Sequence, residues 1–390
     1  GAGGTAGDGG HGGGGSGGFA GEGGSGGIGG DGGFGGAGGE PTTPLRDNDL
    51  FIADPDAGHP GFSSPHSNPI GVLPDYSRLY VANTPADTVD VFNAQTGAPL
   101  TRIHVGVDPV SIAVRPDGLE VWVSNHVSDT VSVIDSNPES PTHHQVIATI
   151  QDVDAESRST RFDEPVGIAF TGDGRKAYVA LSSVNRVAVI DVPSRRVVNR
   201  LKIRSQDPRA LAVAGNRLYV IPFESGNQTQ VSGCLPEDID GDLCTFNVNE
   251  QNVTGEGYDS DIIRHPNGPD RDLYVFDTET DEPIETISTL GTLLYGVTAT
   301  AAGRVYIAMT EARNDVNGRA GTGTPKHGLM ELENRAFLNQ VGVVDCGDGD
   351  CIKSTFDLEP RPPQHPGPEH ALATPFGIQL SGDESTLVVT

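Results

Sequence analysis

The chain has 390 residues, of which 53 are Asp or Glu and 25 are Lys or Arg, and its formal net charge is −28. Nucleic acids and anionic membranes are bound through basic surfaces, so this charge argues against both as partners. The sequence contains no apolar run of about 18 residues, the length that a transmembrane helix needs.

The first 66 residues are poor in residues that can form a core. Residues 1–40 are rich in glycine and repeat Gly-Gly-x from position 23 onwards. Such a segment has little to bury and a large ordering entropy, which predicts a flexible tether from an envelope anchor upstream. The alternative is an ordered structure: because the sequence repeats every three residues, the segment could form a left-handed helix with three residues per turn that packs with neighbouring helices in a bundle. Residues 41–66 form a Pro-rich bridge, in which positions 50–53 are a candidate closing strand.

Residues 108–150 contain the pattern that organises the rest of the chain. Runs rich in Val and Ile fall at 110–114, 119–124, 130–135 and 145–150, and Pro116-Asp117-Gly118 separates the first two. β-branched residues favour strands, and Pro-Asp-Gly favours a tight turn. The pattern therefore predicts a four-stranded antiparallel meander.

This pattern recurs, and each copy has a large residue in its second strand. The spacings between the first four of these anchors are 42, 56 and 41 residues. Four strands per roughly 40–45 residues are typical of a propeller blade, which must pack against neighbouring blades to bury both faces. The anchors are Tyr80, Trp122, Tyr178, Tyr219 and Tyr306, with Leu387 as a sixth.

Two short motifs within the units resemble those of the YVTN family of β-propeller repeats. The second-strand motif occurs as Tyr80-Val81-Ala82-Asn83 and Trp122-Val123-Ser124-Asn125; the third-strand motif occurs as Val133-Ile134-Asp135 and Val189-Ile190-Asp191, and more loosely as Val343-Val344-Asp345. The resemblance covers most of residues 68–390, although blade three has Leu181 where the motif has Asn. It implies the fold and no activity, because surface proteins, binding propellers and enzyme domains share the repeat. No functional residue is carried over from it.

We therefore predict an all-β protein, a β-propeller at residues 67–390 built from four-stranded antiparallel blades. Blades one to three occupy 67–106, 107–152 and 162–204, and blades four and five start near Pro208 and Tyr295. A sixth begins at Pro375 and breaks off at Thr390, which would leave an unpaired edge. We expect a segment of a longer protein whose propeller has seven blades when whole.

The extra length falls in one class of connection. Insertions at 223–272 and 310–339 separate the second and third strands of blades four and five, and residues 151–163 and 359–374 enlarge two crossings between blades. In a meander all four lie at the same end, which we expect to be the binding face because loops on rigid scaffolds carry function. Neutral loop drift is the alternative, and residues 328–338 have the spacing of a helical lid. The polar candidates on this face are Glu311, Arg313, Asn314, His265 and His327.

The four cysteines form two close pairs, Cys234 with Cys244 and Cys346 with Cys351. They predict two local disulfides and an extracellular, cell-surface or periplasmic location. A zinc site and free thiols are the alternatives, but the spacings do not make CxxC motifs. No CxxCH motif is present, so this stretch carries no c-type haem.

The acidic loop between the first two cysteines is a candidate calcium site. Asp238, Asp240 and Asp242 alternate around a glycine, and Ca²⁺ takes six to eight oxygen ligands. Further carboxylates that can contribute, among them Asp272, follow in the same insertion. A solvated acidic loop is the alternative interpretation.

No catalytic constellation is readable by motif. The first functional hypothesis is a secreted or cell-surface binding and scaffold module that presents its insertion-rich face to a protein or glycan, without enzymatic activity in this segment. The second is the docking or substrate domain of a larger periplasmic redox enzyme, with a haem or other cofactor module beyond residue 390. A lactonase-like hydrolase is the third and weakest, because it needs a metal or a His/Glu pair at the mouth of the propeller.

Overall fold

A computed structural model describes residues 66–225, 271–313, 335–346 and 351–390, together with three short strands between the first two ranges. The described residues are almost entirely strands and turns, with single 3-10 turns at Thr84–Ala86 and Pro368–His370. The predicted all-β propeller is confirmed. The glycine-rich segment and the candidate strand at 50–53 lie outside the described residues and stay predictions.

Five four-stranded antiparallel blades follow one another, and a sixth begins. Blades one to three are β1–β4 (Ile70–Val72, Arg78–Asn83, Thr88–Asn93, Pro99–His104), β5–β8 (Pro109–Val114, Glu120–Asn125, Thr130–Asp135, Val146–Ile150) and β9–β12 (Pro165–Phe170, Lys176–Leu181, Arg186–Asp191, Arg196–Lys202). Blade four is β13 (Gln206–Ala214), β14 (Arg217–Glu224), β18 (Leu273–Asp277) and β19 (Pro283–Ile287). Blade five is β20–β23 (Leu293–Ala299, Arg304–Ala312, Phe337–Asp345, Ile352–Asp357), and β24 and β25 (Ile378–Leu380, Leu387–Val389) begin blade six. Within the first insertion, β15 (Gln230–Val231), β16 (Val253–Gly255) and β17 (Tyr258–Ile262) pair in the order β15-β17-β16.

The first strands of successive blades pack against one another in chain order, which is the inner wall of a propeller. A small residue recurs near the start of each first strand, and in blades three and five it lies against the backbone of the next blade. A Cβ on Gly167 would collide with the carbonyl oxygen of Arg209, and one on Gly296 would lie 2.9 Å from that of Phe376. The small residues are Gly71, Ser111, Gly167, Ala210, Gly296 and Gly377.

The hydrophobic core is divided into layers between neighbouring blades. Tyr178 of blade three, for example, belongs to the same buried cluster as Leu218 and Phe276 of blade four. The anchors Tyr80, Trp122, Tyr178 and Tyr219 are completely buried. The aromatic spacing in the sequence therefore marks the contacts between blades.

Blade five differs from the sequence prediction at its insertion. The prediction ended its second strand at Met309 and began its third at Gln340, whereas β21 runs to Ala312 and β22 begins at Phe337. Residues 310–312 pair with residues 337–339, so the ends of the insertion extend the hairpin. The alternative of a helix over 328–338 is wrong at its end, because Phe337 and Leu338 are in β22.

Cys346 and Cys351 form a disulfide with an S–S distance of 2.02 Å, as predicted. It closes the hairpin between β22 and β23. Cys234 and Cys244 lie outside the described residues, so the second disulfide stays a prediction.

Candidate binding face

The propeller has two ends of different construction. The turn end carries the hairpins between first and second strands and between third and fourth strands. Its turns meet across blades: the Ala301 N–H, for example, donates to Glu384 Oε1 at 2.7 Å. The insertion end carries the connections between second and third strands and the crossings from one blade to the next. The enlarged connections therefore leave from the insertion end.

One Asp or Asn per blade connects the insertion end of that blade to the next. We call these side chains link residues; each stands directly before its third strand or, in blade five, before Gln340 within that strand. In the first three blades the side-chain oxygen accepts a hydrogen bond from a backbone N–H at the entry to the next blade. The pairs are Asp87 with Asp108 (2.8 Å), Asp129 with Glu164 (3.0 Å) and Asn185 with Asp207 (2.9 Å). All six residues have positive φ, which Asp and Asn tolerate better than most residues.

Asp272 is the link residue of blade four, although the first insertion separates it from β14. It is fully buried and accepts hydrogen bonds from the backbone N–H groups of Leu290 at 2.5 Å and Gly291 at 3.3 Å. It also accepts from the hydroxyl of Ser225, at the other end of the insertion, whose N–H bonds Thr292. The two residues that flank the first insertion, Ser225 and Asp272, are therefore bonded to each other and to the entry of blade five. We call such a fixed base the stem of the insertion. The role of Asp272 as a further calcium ligand stays a prediction.

Asn339 is the link residue of blade five, and here it donates. Its Nδ2 lies 3.4 Å from the carbonyl oxygen of Leu372 and 3.2 Å from Glu359 Oε2. Glu359 also pairs with Arg335 at 3.0 Å, with both side chains almost buried, and the Arg313 N–H bonds the Ala336 carbonyl. The stem of the second insertion is thus fixed to the crossing at 359–374.

Four side chains from three blades form a row at the insertion end, which we call the aromatic row. The Arg209 guanidinium lies 3.8 Å from the centroid of the Phe223 ring, a cation–π contact. Phe223 meets Tyr295 at 5.5 Å between centroids, and Tyr295 meets Phe376 at 5.4 Å. Phe376 is 40% exposed, so the row reaches the surface.

Exposed large apolar side chains in the connections are more frequent at the insertion end. Among the described residues, the turn end has Tyr76 and Leu119. The insertion end has Val107, Val127, Val153, Val184, Leu372 and Phe376. Exposed apolar side chains mark protein interaction sites where they form a continuous patch.

The structure places two of the five predicted binding-face residues at the insertion end. Glu311 lies in β21 opposite Leu338 and accepts from the Thr292 hydroxyl at 3.3 Å, and Arg313 follows the strand. Both are integrated into the stem. Asn314, His265 and His327 lie outside the described residues, as do the calcium candidates Asp238, Asp240 and Asp242.

In the described part of the chain, one group of potential metal ligands comes together, Glu285 with Cys346 and Cys351. The two sulfurs are joined to each other, so they are not available as thiolate ligands.

Two cavities in the described residues open at the turn end, and a third, of about 390 Å³, lies along the outer strands of blades three and four. One of about 590 Å³ lies between blades three and four and is lined by Arg175, Lys176 and Glu279 among others. Another of about 370 Å³ lies between blades one and two. Sequence reasoning did not anticipate them, because they depend on the spacing between packed blades.

Solved structures with the same architecture identify the fold. Kuenenia stuttgartiensis hydrazine synthase superimposes with a TM-score of 0.58 and 20% identity over 86% of this chain and 76% of that one. A chain of the mitotic checkpoint complex gives 0.51 and 13% over 82% and 72%. A Bacteroides uniformis protein assigned as a 6-phosphogluconolactonase gives 0.50 and 15% over 84% and 79%. At these identities the likeness shows the β-propeller fold alone.

No protein-family model and no curated protein matches the chain, so the YVTN resemblance stays a prediction. No helix in the described residues has the length and apolarity to cross a membrane.

Proposed function

We propose that this chain is a binding and scaffold module that holds a protein partner at its insertion end. The observation that carries the proposal is that the two large insertions leave this end on stems fixed by buried polar contacts, and that this end has the larger number of exposed apolar side chains in its connections. Fixed stems lower the entropy lost on binding, and a core of aromatic and Arg side chains is typical of protein interfaces. The aromatic row supplies such a core.

The disulfide between Cys346 and Cys351 supports an extracellular, cell-surface or periplasmic location. In this proposal residues 1–40 are the tether, and Ca²⁺ held by Asp238, Asp240 and Asp242 orders the first insertion. Calcium that binds the native state alone raises the melting temperature. We expect a chelator to lower it in the wild type and to have no effect on an Asp240→Asn variant. A melting temperature insensitive to millimolar Ca²⁺ would exclude the site.

The proposal is tested by comparing two surface variants of the immobilised chain. Val127→Ser with Phe376→Ser removes apolar area at the insertion end, and Tyr76→Ser is the matched change at the turn end. Solubilised envelope and secreted proteins of the source cells are passed over each. We expect the wild type and Tyr76→Ser to retain the same protein and the double variant to lose it.

Equal retention by all three chains, or loss only with Tyr76→Ser, would contradict the proposal. A glycan array forms a second arm of the experiment. Binding of a glycan that the double variant abolishes, without a retained protein, would assign the face to a glycan instead.

A second candidate is a docking or substrate domain of a larger redox enzyme; hydrazine synthase shares the propeller fold. Its haem or other cofactor module would lie in sequence beyond residue 390. Reading that sequence for CxxCH or another cofactor motif tests this candidate. A lactonase-like hydrolase is a third candidate. His126 Nε2 lies 4.0 Å from Glu164 Oε2 at the insertion end, but within the described residues this pair is not part of a larger group of potential metal ligands.

A further inference from the structure

One carboxylate of blade four lies against the disulfide of blade five. Glu285 belongs to β19, and its Oε2 atom lies 2.8 Å from the Sγ atom of Cys351. Within the described residues, Glu285, Cys346 and Cys351 are the one group of three potential metal ligands whose donor atoms all lie within 4.8 Å of one another. A disulfide sulfur has no proton, so this contact gives the carboxylate no hydrogen bond, whereas a thiol at the same place would donate one.

The hairpin that carries the two cysteines is held on blade four by contacts other than the disulfide. Arg217 Nη1 donates to the Cys346 carbonyl at 2.8 Å, and Lys353 Nζ donates to the Ser288 carbonyl at 2.5 Å. The ladder between β22 and β23 continues to the residues next to the cysteines, and β19 is itself paired with β18. Breaking the bond between the sulfurs therefore leaves both of them close to Glu285.

One of the two sulfurs is open to a reductant. Cys346 is 5% exposed, whereas Cys351 is partly exposed. The thiolate of a dithiol reductant attacks the Cys351 sulfur, and the Cys346 sulfur leaves as a thiolate that takes up a proton. The second thiol of the reductant then displaces the Cys351 sulfur. The reductant leaves as a disulfide, and the hairpin has gained two electrons and two protons.

The dithiol form has the donor set of a zinc site. Zn²⁺ is bound tetrahedrally by thiolate, imidazole and carboxylate ligands, whereas Ca²⁺ and Mg²⁺ prefer oxygen ligands alone. Binding displaces the two thiol protons. We propose that reduction of this disulfide opens a Zn²⁺ site formed by Cys346, Cys351 and Glu285, with water in the fourth position. The site lies at the turn end, so it is independent of the binding face proposed above.

The test compares the oxidised full chain with the chain reduced by a phosphine, which adds no thiol. Zn²⁺ is titrated into each form, binding is followed by calorimetry, and reactive cysteines are alkylated and identified by peptide mass spectrometry. The peptides separate this pair from Cys234 and Cys244. We expect Zn²⁺ to protect Cys346 and Cys351 saturably in the reduced chain. Co²⁺, as a spectroscopic substitute, should show the charge-transfer absorption of thiolate ligands.

Two variants examine the third ligand. Glu285→Gln keeps the shape of the side chain and removes the anionic oxygen, so we expect about tenfold or more weaker protection by Zn²⁺. Glu282→Gln is the matched change: it removes the same charge directly before β19, from a residue outside the ligand group, and leaves the protection unchanged.

Alkylation of Cys346 and Cys351 that Zn²⁺ does not slow in the reduced wild type would overturn the proposal. Equal protection in the wild type and in Glu285→Gln would exclude the carboxylate and with it the three-residue site. Neither result bears on the binding face, because that face lies at the opposite end of the propeller.

Discussion

The two ends of this propeller are built from the same strands but differ in how they accommodate length. At the turn end, short hairpins contact the next blade directly, as Lys176 and Tyr178 do through Asp281. At the insertion end an Asp or Asn in every blade makes a connection to the next, beside others such as the bond from the Thr84 hydroxyl to the Pro109 carbonyl. The link is kept even where an insertion falls next to it, as at Asp272. Length can therefore grow at this end without loss of contact between blades.

The largest expected effect is a difference in stability loss between two link residues, Asp272 and Asp87. Asp272→Ala removes an acceptor from two buried N–H groups and from the Ser225 hydroxyl, so we expect it to lower the free energy of unfolding by about 3 kcal/mol. Asp87→Ala, which removes a partly exposed link, is expected to cost about 1 kcal/mol. Urea unfolding of both variants measures the difference, and equal losses would contradict the special role of the first stem.

A second prediction concerns pH and the turn end. Burial lowers the pKa of His144 to about 4 from its ordinary value of 6.5, with His143 adding to the shift. The unfolded chain then takes up the proton first as the pH falls, so this contribution to stability is complete above pH 6.5 and is lost between pH 6.5 and 4. We expect about 1–2 kcal/mol, reduced by the partial exposure of the ring. Urea midpoints of the wild type and His144→Asn across this range measure it. An unchanged slope in the variant would assign the pH dependence to other groups.

The smallest effect compares two blade interfaces at the turn end. Tyr178→Phe removes a hydroxyl that bonds Asp281, and we expect a loss of about 1 kcal/mol. Tyr80→Phe removes a hydroxyl for which the structure shows no hydrogen-bond partner, so it is expected to be neutral or slightly stabilising. The melting temperatures of the two variants, measured in the same buffer as that of the wild type, test this difference. A similar loss in both would mean that Tyr80 is paired in solution.

Much of the fold was readable from the sequence because its signals are local. The turns, the Val- and Ile-rich runs and the aromatic anchors placed β18 and β19 at the residues where they occur. The extension of β21 through Thr310-Glu311-Ala312 was missed, because these residues lack the apolar alternation of a half-buried strand.

The candidate site was predictable in position but not in detail. In a meander, alternate connections lie at the same end of the strands. This rule placed all four long connections at the insertion end from the sequence alone. The aromatic row was not predictable, because it joins Arg209 to Phe376 across three blades. The link residues did carry a signal, an Asp or Asn at the start of the third-strand region in every blade. It was missed because the partner of each lies in the next blade.

The most direct test of the central claim is a hydrogen-exchange footprint of the chain with the protein that it retains. Our account predicts added protection at the insertion end, in peptides that contain Val127, Val184, Phe337 and Phe376, and unchanged exchange in the hairpins at Tyr76 and Leu119. Protection confined to the turn-end hairpins would contradict it.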